Sequence, residues 1–233
     1  YLIAQSAIAL NDYETASQHY EIENLSGLYP YDLQKRLITF VNSNNLSKAY
    51  IVAKEIIDLD DSNQEAWLIY LANAKLENEL YLFREFENQR EGEEFNIVNY
   101  IFYSNGQLNQ NNNDIAKALF DIIEVLGKND QNYIESYDYL LFYLTLTLNF
   151  NPLFNEALFS QALLYEQIDN YEMAEQIYQK INKKDFFYLE AQKKIAFNKI
   201  KDGNIEEGEN ILITLVQNNQ DNNLLNISLA DFY

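Results

Sequence analysis

Cysteine is absent from this chain of 233 residues, so neither a disulfide framework nor a thiolate metal site can be built from it. That absence suits a reducing and an oxidising compartment equally. Pro30 and Pro152 are the only prolines, which leaves the backbone free to be mostly helical. The six glycines are scattered among turns and helix ends, and no glycine-rich phosphate loop exists. His19 is the single histidine, so a catalytic triad, a His-Cys pair and a two-histidine zinc site all lack members. No stretch approaches the ~20 apolar residues of a spanning helix. The longest candidate, Tyr137–Phe150, is too short and carries Thr145, Thr147 and Asn149. No membrane insertion is therefore expected. The chain opens at Tyr1 rather than Met, and a start and any signal peptide are expected to have been removed or never included.

Positive charge is also scarce. Lys and Arg number 16 against 36 acids, for a formal net charge of −20. Residues 1–170 hold 26 acids and 9 bases, residues 171–233 hold 10 and 7. Such a field repels a phosphate backbone and anionic lipid, so nucleic acid is not an expected partner. A neutral or basic protein or peptide is electrostatically favoured. Hydrophobic residues at 48% separate this chain from disordered acidic tails. The abundance of Asn in loops reads as a mark of an A/T-rich genome rather than of function.

What is present is a phrase repeated at a fixed distance. Asp169-Asn170-Tyr171-Glu172-Met173-Ala174 is echoed by Gly203-Asn204-Ile205-Glu206-Glu207-Gly208, with Tyr178 and Leu212 one turn after each small residue. Asn11-Asp12-Tyr13-Glu14-Thr15-Ala16 and Asn44-Asn45-Leu46-Ser47-Lys48-Ala49 repeat it, followed by Tyr20 and Ala53. Neighbouring small residues lie 33 or 34 apart, the period of a two-helix solenoid unit. Such an array builds an extended surface rather than a catalytic pocket.

The repeat resembles the tetratricopeptide (TPR) family. Trp67 and Leu158 stand six residues after Asp61 and Pro152, where the family favours Trp early in helix A. Leu80 and Tyr171 fall nineteen after the same marks and would open helix B. Asp61 departs from the usual Pro and Gly208 from the usual Ala. The resemblance implies an all-α superhelical solenoid of antiparallel helix pairs, about six units with an irregular middle. Pairs are expected at 1–10 with 13–25, 31–41 with 46–59, and 64–76 with 80–89. Further pairs are expected at 114–126 with 133–148, 152–168 with 171–181, and 186–200 with 205–216. A helix at 93–104 precedes an Asn-rich loop at 105–113, which divides an N-terminal array (1–104) from a C-terminal array (114–233). Residues 224–233 begin a further helix A whose Leu224, Leu225, Ile227, Leu229 and Phe232 need cover. Continuation of the natural chain is the favoured source, with self-association through Leu224–Tyr233 as another.

In the family, helix A lines the concave face. The resemblance thereby implies a partner-binding groove of Gln34, Ile38, Leu68, Ala72, Lys75, Phe159, Leu163, Glu166, Lys193 and Phe197. It assigns repeat packing to Ala16, Tyr20, Ala49, Ala53, Trp67, Leu158, Ala174, Tyr178, Gly208 and Leu212. Residues 1–10 lack Lys, Arg and Asn, which argues against a carboxylate-clamp adaptor. The acidic pairs Asp60–Asp61, Glu93–Glu94 and Glu206–Glu207 read as helix N-terminal charge or solvated faces, because adjacent carboxylates on a helix point apart. Asp58–Ser62 lacks the central Gly and distal Glu of a calcium loop. No catalytic residue, metal or cofactor is expected. The function implied is a non-enzymatic scaffold for a protein or peptide, the alternative being a regulatory or docking region of a larger enzyme. The order of units is similar to that of bacterial TPR proteins of the cell envelope, which favours a periplasmic or envelope location over the cytoplasm.

Overall fold

The computed structural model describes residues 2–21, 30–89, 97–128, 133–219 and 223–232. Two compact units divide the chain, Tyr1–Asn151 and Pro152–Tyr233. The first contains α1 (Leu2–Ala9), α2 (Tyr13–Glu21), α3 (Pro30–Asn42), α4 (Leu46–Leu59), α5 (Gln64–Leu76), α6 (Tyr81–Gln89) and α7 (Ile97–Phe102). A two-stranded ladder, β1 (Tyr103–Ser104) and β2 (Gln107–Leu108), then leads to α8 (Asn112–Lys128) and α9 (Tyr133–Phe150). The second unit contains α10 (Asn155–Gln167), α11 (Tyr171–Tyr178), α12 (Tyr188–Lys201), α13 (Ile205–Asn218) and α14 (Asn223–Phe232). Gly27, the acidic pair at 93–94 and the expected extension of the second helix to Leu25 lie outside the described residues.

The same turn joins the helices of five pairs. Asn11, Asn44, Asn78 and Asp169 have φ of 56°, 57°, 62° and 57°, and Gly203 has φ of 87°. Each N–H of these residues bonds the carbonyl three positions back, and the following N–H reaches five back, as in Asn44 to Val41 (2.8 Å) and Asn45 to Phe40 (2.7 Å). This left-handed stop satisfies the last helix carbonyls, and Asn, Asp and Gly are the residues that tolerate it. The residue after it starts the next helix: Asp12, Asn45 and Asn170 each accept the N–H three positions on. Asn11, Asn44 and Asn78 thus serve as stops, and Asn45, Asn63 and Asn170 as caps. Asn78→Ala should lower stability by about 1 kcal/mol in urea denaturation, whereas Asn78→Gly should be nearly neutral. Equal effects of the two would show that the positive φ is not what Asn78 provides.

Four of the pairs carry the small residue of the repeat at a buried position of the second helix, and in the α5–α6 pair the equivalent position is Phe83. Ala16, Ala49, Ala53 and Ala174 have no exposed surface, and Gly208 is buried. Tyr20, Trp67, Leu158, Tyr178 and Leu212 are buried with them. Trp67 packs edge-on against Tyr70 and Phe86 and donates Nε1–H to the Asp61 carbonyl at 2.8 Å. Asp60 receives both the N–H and hydroxyl of Ser62, so this acidic stretch is an inter-pair turn.

Two features differ from the sequence reading. The Asn-rich loop or seam expected at 105–113 opens with a hairpin, in which Asn105 and Gly106 both take positive φ and close a two-residue turn. Asn-Gly is the residue pair such a turn prefers. A small strand pair thereby interrupts the run of helices among the described residues. The boundary by packing falls after Asn151 because α9 packs along α3 within the first unit. Residues 141–147 of α9 are all buried, as a helix that is apolar all round requires. Thr147 stays satisfied through the Tyr143 carbonyl at 2.8 Å. Asn42 donates to the Asp138 carbonyl at 3.1 Å, Tyr13 hydroxyl donates to the Asp138 carboxylate, and Asn149 donates to Asn44 at 2.8 Å.

Candidate interaction face

In the first unit the positions expected in a groove are largely covered. Ile38, Leu68 and Ala72 are buried, and Gln34 is half-buried, accepting from Asn63 at 3.2 Å. On the α3 side α9 lies against the helix and brings Tyr139 near Gln34 and Glu65, while α5 packs against α4, α6 and α7. Lys75 remains partly exposed and donates to Gln110 at 3.3 Å, with burial lowering its pKa. Arg36 on α3, which the repeat pattern did not single out, is fully buried. Its guanidinium lies 4.6 Å over the Tyr20 ring and donates to the Tyr20 carbonyl at 3.4 Å.

The second unit keeps its corresponding positions accessible. Phe159 and Leu163 are one turn apart on α10, as are Lys193 and Phe197 on α12, so each pair shares a helix face. All four are partly exposed. Glu166 ties the two helices, accepting from Lys194 at 3.0 Å and Asn198 at 2.8 Å. Lys193 pairs with Glu190 at 2.6 Å. The charged groups of this face therefore neutralise one another, and its free capacity is apolar. Phe159 packs on Tyr178 (5.4 Å) and Phe187 (5.0 Å). Burial raises the Tyr178 pKa well above that of an ordinary phenol, and the Glu166 carboxylate adds to the shift.

An open cavity of about 1170 Å³ lies elsewhere in the second unit, with Tyr188, Leu189, Ile211 and Leu215 among its walls. None of the expected groove residues lines it. Among the described residues no cluster of His, Cys, Asp or Glu could hold a metal ion, and no helix is long and apolar enough to cross a membrane. On α14, Leu225 is buried and Ile227 is 55% exposed; the side chains of Leu224 and Phe232 lie outside the described residues.

Packed helix pairs, small residues at their crossings and one recurring turn decide the architecture. The fold is of the tetratricopeptide-repeat type. No family model matches the chain, and no curated protein matches it. Among solved structures it is similar to a tetratricopeptide repeat protein from Parabacteroides merdae ATCC 43184, at 22% identity and a TM-score of 0.37, over 88% of this chain and 72% of that one. It is also similar to two structures of MamA, each at 13% identity. One has a TM-score of 0.35 and covers 94% of this chain and 88% of that one. The other has a TM-score of 0.30, with 94% and 95% covered. The repeat assignment stands on the chain's own turns and crossings.

Proposed function

We propose that the chain is a non-enzymatic scaffold that binds a protein or peptide on the α10–α12 face. The observation that carries this reading is the apolar group Phe159, Leu163 and Phe197, partly exposed on a face whose charges are already paired. A ligand there gains by covering apolar surface, at roughly 25 cal/mol per Å², without breaking an ion pair. The apolar counterparts in the first unit, Ile38, Leu68 and Ala72, are buried, which favours the second unit as the binding part. The acidic surplus of residues 1–170 favours a partner that is neutral or basic as a whole.

Affinity capture from the native host with the purified chain as bait tests this. Phe159→Ser with Leu163→Ser should reduce recovery of the captured partner by about tenfold, the size of effect expected for central apolar contacts. Glu206→Gln with Glu207→Gln, remote on α13, should not. Helix content checked by circular dichroism separates lost binding from lost folding. Equal recovery by all variants would remove the α10–α12 face from the function.

A further inference from the structure

We propose that the loop at residues 182–187 is a second docking point, for an acidic segment of a partner protein. The segment sets an aliphatic or aromatic side chain against Phe186 and its carboxylates against Lys183 and Lys184. Phe186 is 91% exposed, the most exposed large apolar side chain among those described. Its ring meets Phe187 edge-on at 5.5 Å, and Phe187 in turn packs on Phe159, so the exposed ring ends an aromatic row rooted in the unit.

The loop is held in shape before any partner arrives. Asn155 donates to Asp185 at 2.7 Å and accepts the Asn182 N–H at 3.1 Å. Asp185 also accepts the Phe187 N–H at 2.9 Å, and Asn182 accepts the Lys184 N–H at 3.0 Å. A ligand therefore does not have to order the loop, which lowers the entropic cost of binding.

Charge selects the occupant. Lys180, Lys183 and Lys184 are exposed, and none is paired with a carboxylate among the described residues. Lys193, Lys194 and Lys199 of the same unit are each paired. The loop's own acid, Asp185, accepts from Asn155 and the Phe187 N–H and keeps its negative charge. Three cations against one carboxylate within residues 180–185 leave a net positive local charge, opposite in sign to that of the chain. At physiological salt, acids more than about 8 Å away are screened from it. Lys183 also borders the open cavity, whose lining includes Glu206 and Glu207. Those carboxylates repel an acidic segment, which is thereby directed to the Phe186 side of the loop.

Fluorescence anisotropy with the whole chain and labelled synthetic peptides tests the proposal. One probe is a short Asp/Glu peptide with a central Phe and Leu; the other carries Lys in place of every acid. The acidic peptide should bind about tenfold tighter or more, and raising salt from ~0.05 to ~0.3 M should weaken it several-fold. Phe186→Ser, and separately Lys183→Glu with Lys184→Glu, should each cost about tenfold in affinity with the melting temperature unchanged. Leu163→Ser should leave this binding intact, which keeps the test independent of the α10–α12 reading. Equal or tighter binding of the basic peptide, or unchanged affinity in both loop variants, would overturn the proposal. Vesicles containing phosphatidylserine form the third arm. Their capture by the wild-type chain but not by Phe186→Ser, without acidic-peptide binding, would overturn it in favour of a lipid surface.

Discussion

Raising the pH above about 10 should unfold this protein over a narrow interval, with helix loss and tyrosine ionisation occurring together. Tyr13, Tyr143 and Tyr178 are nearly inaccessible to solvent. Burial is the main cause that raises each phenol above its ordinary value of 10.0. Nearby carboxylates add to it: Asp138 at Tyr13, Glu65 at Tyr143, and Glu166 at Tyr178. A phenol is neutral when protonated, so a raised folded pKa means that the native state keeps a proton the unfolded state has released. Below the unfolded pKa both states hold the proton and the full stability is present. Above it the unfolded state binds fewer protons, and stability falls as pH climbs towards the folded pKa.

Each such group contributes a slope of about 1.4 kcal/mol per pH unit, and three together about 4. Against a total stability of about 5–15 kcal/mol, a few pH units suffice. Tyrosinate absorbance near 295 nm and far-ultraviolet circular dichroism, recorded on the same samples, check this. For the buried tyrosines the absorbance step should coincide with helix loss. A full tyrosinate signal reached with the helices intact would show that burial does not hold these phenols protonated.

The repeat was legible because its small residues sit at helix crossings, where size is restricted, and these recur in phase at positions 16, 49, 174 and 208. The left-handed stops at Asn11, Asn44, Asn78, Asp169 and Gly203 recur in the same phase. Their signal was present but submerged in a chain where Asn is common everywhere. Asn105-Gly106 is a local hairpin signal, but the polar Asn-rich stretch after it reads as loop. The covering of the first unit's inner face was not legible. The apolar run in α9 says that the helix is buried, but nothing periodic says that it lies along α3. Arg36 illustrates the same limit, since a cation on a repeat helix reads as solvated until Tyr20 is seen beneath it. The helix expected over 186–200 opens at Tyr188 instead, which leaves Phe186 in a loop that Asn155 and Asp185 shape, a contact that no helical period encodes.

Gly208→Ala should destabilise the second unit by about 1–3 kcal/mol, although alanine is the residue this position carries in three other repeats, at 16, 49 and 174. Helix propensity argues the opposite way, favouring Ala over Gly by about 1 kcal/mol within a helix. Packing decides the sign. A Cβ built on Gly208 would lie 2.5 Å from the Ala196 carbonyl oxygen and 2.6 Å from the Ile200 side chain. Both distances are shorter than real Cβ contacts tolerate, and the first involves backbone, which no rotamer change can move aside. The helices α12 and α13 therefore approach more closely than a methyl group permits, and glycine here is a consequence of that approach rather than a weakened repeat. Two variants separate the contacts. Ile200→Ala added to Gly208→Ala should relieve only the side-chain clash and lose buried area, leaving the double variant no more stable than the single. Gly208→Ser should cost at least as much as Gly208→Ala. Urea denaturation followed by circular dichroism measures all three. A Gly208→Ala protein as stable as wild type, or one fully rescued by Ile200→Ala, would mean that the helices separate easily and that the backbone contact at Ala196 does not set their spacing.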